Sequence, residues 1–89
     1  MKIKIIYKKL GREQAHGIAE SDGIIYLDPR LKGKKHFEIL IHEALHILNP
    51  TDSELAIIKK SITLTKVLWS EGYRKVDDSN DEPLQDGSI

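Results

Sequence analysis

The chain has 89 residues, no cysteine and a formal net charge of zero with histidine neutral. Such a length suits one small domain with a thin stability margin. The lack of cysteine excludes a disulfide scaffold, a thiolate metal site and a cysteine nucleophile, so any metal must be held by His, Asp or Glu. In chain order, residues 2–8 alternate lysine with isoleucine and tyrosine and predict a strand, with Ile3, Ile5 and Tyr7 facing one way. Leu10-Gly11-Arg12 is a break. Residues 14–20 form a weaker strand that ends at the turn signal Ser21-Asp22-Gly23. Residues 24–28 are the clearest strand, with Ile25 and Leu27 on one face and Ile24, Tyr26 and Asp28 on the other, ended by Pro29.

A basic loop through Gly33 leads to a helix from Lys34 or Lys35 to Leu48, apolar nearly all round and therefore expected to be buried on most faces. Asn49-Pro50 stops it. Thr51 and Glu54 have the spacing of a capping box at the start of a second helix. That helix runs to Ser70 or Glu71, with Leu55, Ile58, Ile62, Thr65 and Trp69 as its inward stripe and Gly72 as its stop. The fold class is thus α+β: a small three-stranded, mostly antiparallel sheet on two helices, forming one domain over residues 1–76.

Residues 77–89 carry five acids and no base, a charge of −5, against +5 for residues 1–76. The composition of this tail predicts a solvated segment dispensable for the fold. A lesser alternative has one of its aspartates covering an open metal position. No apolar run is long enough to span a membrane. Without cysteine or a signal-like start, the cytoplasm is the expected compartment.

The chemistry is concentrated in His42-Glu43-Ala44-Leu45-His46. Residues four apart lie one turn apart on the same helix face, so both imidazoles can reach one ion. Glu43 projects beside the first of them, placed to take a proton from water rather than to join the ligand row. Such polar groups in an otherwise apolar helix need a partner if buried, and a Zn²⁺ ion supplies one. His16 and His36 lack comparable spacing and are read as surface or structural residues.

At these residues the chain resembles the zincin metallopeptidases. Over residues 24–72 the order of strand, loop, motif helix and second helix resembles a minimal gluzincin-like or ImmA/IrrE-like domain. The resemblance implies a zinc-dependent peptidase acting on a peptide or protein substrate, with His42 and His46 as ligands and Glu43 as general base. It also implies that residues 24–28 are the edge strand beside the cleft, open to an added substrate strand. A gluzincin-like reading takes Glu54 as third ligand, and Glu54-Leu55-Ala56 resembles the Glu-x-Ala stretch of some ImmA/IrrE-like proteins. A metzincin-like reading takes Asp52 instead, although Pro50 restricts Asn49 and the chain has no Met-turn. Glu71 or water remains a further choice, and Glu54 is the assignment adopted here.

No oxyanion-stabilising group is assigned, although Tyr26, Asp28, Arg30, Tyr73 and Arg74 are available to approach the metal. Trp69 reads as a core residue. The alternative function is a non-catalytic, zinc-stabilised binding or regulatory module. A nucleic-acid role is weaker still, because the patch of Arg30, Lys32, Lys34 and Lys35 lacks interleaved aromatics.

Overall fold

In the hairpin formed by the second and third strands, the turn at Ser21-Asp22-Gly23 depends on its glycine. Gly23 has φ of 97°, its N–H donates to the Glu20 carbonyl at 3.0 Å, and a Cβ there would lie 2.8 Å from the Lys2 carbonyl oxygen. The computed structural model describes residues 2–11 and 16–76. Expectations for Arg12, for Gln14 and Ala15 at the start of the second strand, and for the tail 77–89 fall outside the described residues. The elements are β1 (Lys4–Tyr7), β2 (Gly17–Glu20), β3 (Ile24–Leu27), α1 (Gly33–Leu48) and α2 (Glu54–Ser70).

The three strands form one mixed sheet in the order β1-β3-β2, with β1 parallel and β2 antiparallel to β3. The α+β class of three strands on two helices is as expected, and only the detail of a mostly antiparallel pairing is corrected, one of the two pairings being parallel. The strands alternate in direction along the chain, but the tight hairpin puts β2 on one flank of β3 and leaves the other to β1, which runs the same way. It also corrects the edge assignment: β3 is the central strand, and β1 and β2 are the edges.

One face of the sheet carries the core. Ile25 and Leu27 are fully buried and pack with Ile47 of α1, flanked by Ile3, Ala19, Leu31, Ile39, Leu40 and Ala44. The register puts Ile5 and Tyr7 beside Ile25 and Leu27, and Gly17 and Ala19 on their other side. The small pair lets α1 settle closely over β2. Only His36, Glu43 and Ile47 of α1 are buried, and Leu48 is exposed. A three-stranded sheet and one neighbouring helix are too little to enclose every face, so the expected all-round burial does not occur.

The helices run antiparallel, with Phe37 against Trp69 (ring centroids 5.7 Å apart) at one end and His46 against Glu54 at the other. The inward stripe of α2 is Ile57, Ser61 and Thr65. Of the expected stripe only Thr65 is buried; Trp69 is half-buried, and Leu55, Ile58 and Ile62 are exposed. Apolar residues surround this helix, so periodicity alone offers several stripes. Small Ser61 passes as an interior residue because its hydroxyl donates to the Ile58 carbonyl at 3.0 Å. The Thr65 hydroxyl is buried with no partner among the described residues.

After β3 the chain is held by Asp28. Its buried carboxylate accepts the Arg30 backbone N–H at 2.9 Å and Arg30 Nε and Nη2 at 2.8 and 2.6 Å, with a longer contact of 3.4 Å from Leu10 N. These bonds, chiefly from the Arg30 guanidinium, hold the carboxyl well below the usual carboxylate range. A depressed folded-state pKa contributes stability that is fully present above the unfolded value near 4 and is lost as pH falls toward the folded value. Thermal melts from pH 5 to pH 2 should therefore show wild type losing stability faster than Asp28→Asn below about pH 4. Equal slopes would contradict the assignment. Thr65→Val should raise stability by about 1 kcal/mol in a denaturant titration, because it removes an unsatisfied buried hydroxyl without changing shape. A loss of that size would show that the hydroxyl has a partner.

Candidate metal centre

His42 and His46 lie one turn apart on α1 and aim Nε2 at the same point, 3.2 Å from each other. Glu54 completes the group: Oε1 is 2.8 Å from His46 Nε2 and Oε2 is 3.3 Å from His42 Nε2. Around a tetrahedral zinc with bonds of about 2.0–2.1 Å, neighbouring ligand atoms are about 3.3 Å apart. The His42–His46 separation is close to such an edge, and the Glu54 carboxylate reaches each imidazole through a different oxygen. His42, His46 and Glu54 form a group that can hold a metal ion.

The start of α2 explains why Glu54 is free for this. The cap is Ser53, whose hydroxyl accepts the Ala56 N–H at 3.1 Å. Thr51 is not the cap, and the expected capping box is absent. Glu54 is instead the first helical residue, so its carboxylate is not folded back onto the helix and turns across the joining segment to α1. Asp52 is engaged elsewhere, 2.5 Å from Lys60 Nζ. Glu71 caps the far end of α2, more than four helical turns from Glu54. Neither joins the group.

Glu43 is buried and points under β2. A Cβ at Gly17 would lie 2.9 Å from Ile39 Cγ2, 3.1 Å from Glu43 Cγ and 3.3 Å from Glu43 Oε2. Glycine at this position makes the room that the Glu43 side chain occupies. The signal for this in the sequence is glycine and alanine alternating on one strand face, Gly17 and Ala19. Burial pushes the Glu43 carboxyl up, the nearby His42 and His46 pull it down less strongly, and Glu54 adds slightly to the rise. Among the described residues its carboxylate makes no hydrogen bond, and the residue faces a cleft.

Glu43 and His46 open onto a cleft of 600 Å³ bordered by Ala19, Glu20, Ser21, Ile47 and Pro50. The strand beside this cleft is β2, an edge strand. The groups considered for oxyanion stabilisation are elsewhere. Tyr26 lies under Lys8, whose Nζ is 4.8 Å from its ring centroid. Asp28 and Arg30 bind each other, and Tyr73 and Arg74 follow the far end of α2. His36 is buried against Tyr7, and His16 is exposed.

No family model, curated protein or solved structure matches this chain. Among the described residues no helix is long and apolar enough to cross a membrane.

After loading with zinc and dialysis, wild type should retain one ion per chain. His42→Ala, His46→Ala and Glu54→Ala should lose it, and Asp52→Ala should keep it, as measured by elemental analysis. Retention by Glu54→Ala with loss by Asp52→Ala would place the third ligand at Asp52.

Proposed function

We propose that the chain is a small zinc-dependent metallopeptidase. The observation that carries this reading is a largely buried carboxylate, with no hydrogen bond among the described residues, opening onto the same cleft as His46 of the His-His-Glu group. A site kept only for folding needs ligands, but it has no use for a carboxylate such as Glu43 facing the cleft beside them. Two histidines and one glutamate with a fourth position free is a donor set that zinc uses in catalytic centres. Zinc held there would supply Lewis acidity, acidifying a water and polarising a peptide carbonyl.

The chain's own residues carry the remaining work. Glu43 takes the proton of the water as its oxygen bonds to the carbonyl carbon, then delivers that proton to the leaving amine nitrogen as the C–N bond breaks. Burial raises its affinity for a proton, which suits it to take one from water. Among the described residues no strand pairs with the outer edge of β2, so an extended peptide can dock there along the cleft as an added strand. Pro50 and Ile47 wall the cleft opposite.

Glu43→Gln should retain zinc and the fold while peptide cleavage falls on the order of 10²–10⁴-fold. A peptide library scanned by mass spectrometry with zinc-loaded wild type supplies the substrate for this comparison. Cleavage by Glu43→Gln at the wild-type rate would remove the catalytic role. A library left uncut by wild type that nevertheless holds zinc would favour a non-catalytic module.

A further inference from the structure

At the opposite end of α1 from the metal centre lies a second cavity, of 570 Å³, whose lining includes Lys32, Lys75, Arg74, His36, Tyr7 and Trp69. Three cations border it, and no carboxylate of the described residues does. The sequence places Lys32 in a basic patch without aromatics; the fold supplies them, Tyr7 from β1 and Trp69 from α2. Both rings are already covered by the protein. Arg74 stacks its guanidinium 3.6 Å from the Trp69 centroid, and Phe37 packs on the same indole. Tyr7 is stacked on His36 with centroids 5.9 Å apart, and Lys75 Nζ is 5.0 Å from its centroid. What remains for a ligand is charge rather than a stacking surface.

The polar groups are arranged as donors. Arg74 Nη1 is fixed on the Trp69 and Tyr73 carbonyls, which holds the rest of the guanidinium in place. His36 is 93% buried, and its Nε2 is 2.8 Å from the Tyr7 hydroxyl oxygen. That oxygen also accepts from Lys75 Nζ at 3.4 Å; in the tautomer in which the tyrosine O–H donates to Nε2, the ring proton sits on Nδ1. Nδ1–H then has no acceptor among the described residues. The first turn of α1 contains no acid, and Lys32 at its cap makes no side-chain bond to it, which leaves the N–H groups of residues 33–35 without a side-chain acceptor, while that of His36 donates to the Lys32 carbonyl at 3.2 Å.

We propose that this cavity binds a phosphate group, as the free anion or as the end of a phosphate monoester. A carboxylate offers two oxygens and one charge to three cations, an imidazole N–H and a helix start. A phosphate offers three or four oxygens and close to two charges, and matches that donor set.

Trp69 is the only tryptophan, so its fluorescence reports on this cavity. Metal-free full-length protein is titrated with inorganic phosphate and with a nucleoside monophosphate at constant ionic strength. The expected result is a saturable change, with affinity reduced on the order of tenfold in Lys32→Ala and in Lys75→Ala. Both side chains are exposed, so the fold should survive their truncation. Saturation by both ligands identifies the anion itself as the ligand; saturation by the monophosphate alone identifies an ester. The double variant His42→Ala, His46→Ala should bind unchanged. Loss of binding there would move the phosphate to the metal centre and overturn the proposal. So would equal weakening in Lys59→Ala and Lys66→Ala on the outer side of α2, or saturation by an aspartate-rich peptide with no response to phosphate.

Discussion

The contact of Glu54 with two imidazoles depends on how sharply the chain turns between its helices. Residues 49–53 bring the first residue of α2 back over the last turns of α1, and the Ser53 hydroxyl takes the capping duty that would otherwise occupy Glu54. Nitrogen lone pairs and carboxylate oxygens crowd within 4.8 Å of one another, and a cation is the simplest group that satisfies them together. The antiparallel packing of α1 and α2 follows from where this turn sets the second helix.

A second constraint acts through the sheet. Gly17 and Ala19 occupy the helix-facing positions of β2, so α1 approaches closely enough to bury Glu43 without burying its carboxylate against a side chain of the strand. The same placement makes β2 the strand along the cleft. A larger residue at position 17 would have to displace Ile39 and Glu43 together, which links strand composition to the geometry of the proposed base.

The motif was legible because helical periodicity places residues 42 and 46 on one face whatever the tertiary fold. The two-helix, three-strand content and the identity of the core face of β3 were legible for the same reason, since strong local patterns survive packing. What was not legible depended on relations between elements. Strand order turned on which flank of β3 the hairpin occupied, which no alternation pattern in β1 encodes. The inward face of α2 was misread because leucine and isoleucine at 55, 58 and 62 outweigh serine and threonine in any hydrophobicity argument. In the fold, the small residues win because they let two helices approach. Glu54 was found through its position after the chain reversal, while its release from capping became visible only once Ser53 was seen to hold Ala56.

One helix also connects the two polar regions. Its start, with N–H groups that lack a side-chain acceptor and neighbouring cations, favours an anion, and its last turns, where His46 lies, favour a cation. The most direct test of the central claim is zinc-edge anomalous diffraction from crystals of the zinc-loaded protein. The account predicts a single strong peak bonded to His42 Nε2, His46 Nε2 and a Glu54 oxygen, with solvent in the fourth position and the Glu43 carboxylate facing it. A peak elsewhere, or a fourth protein ligand closing the site, would contradict it.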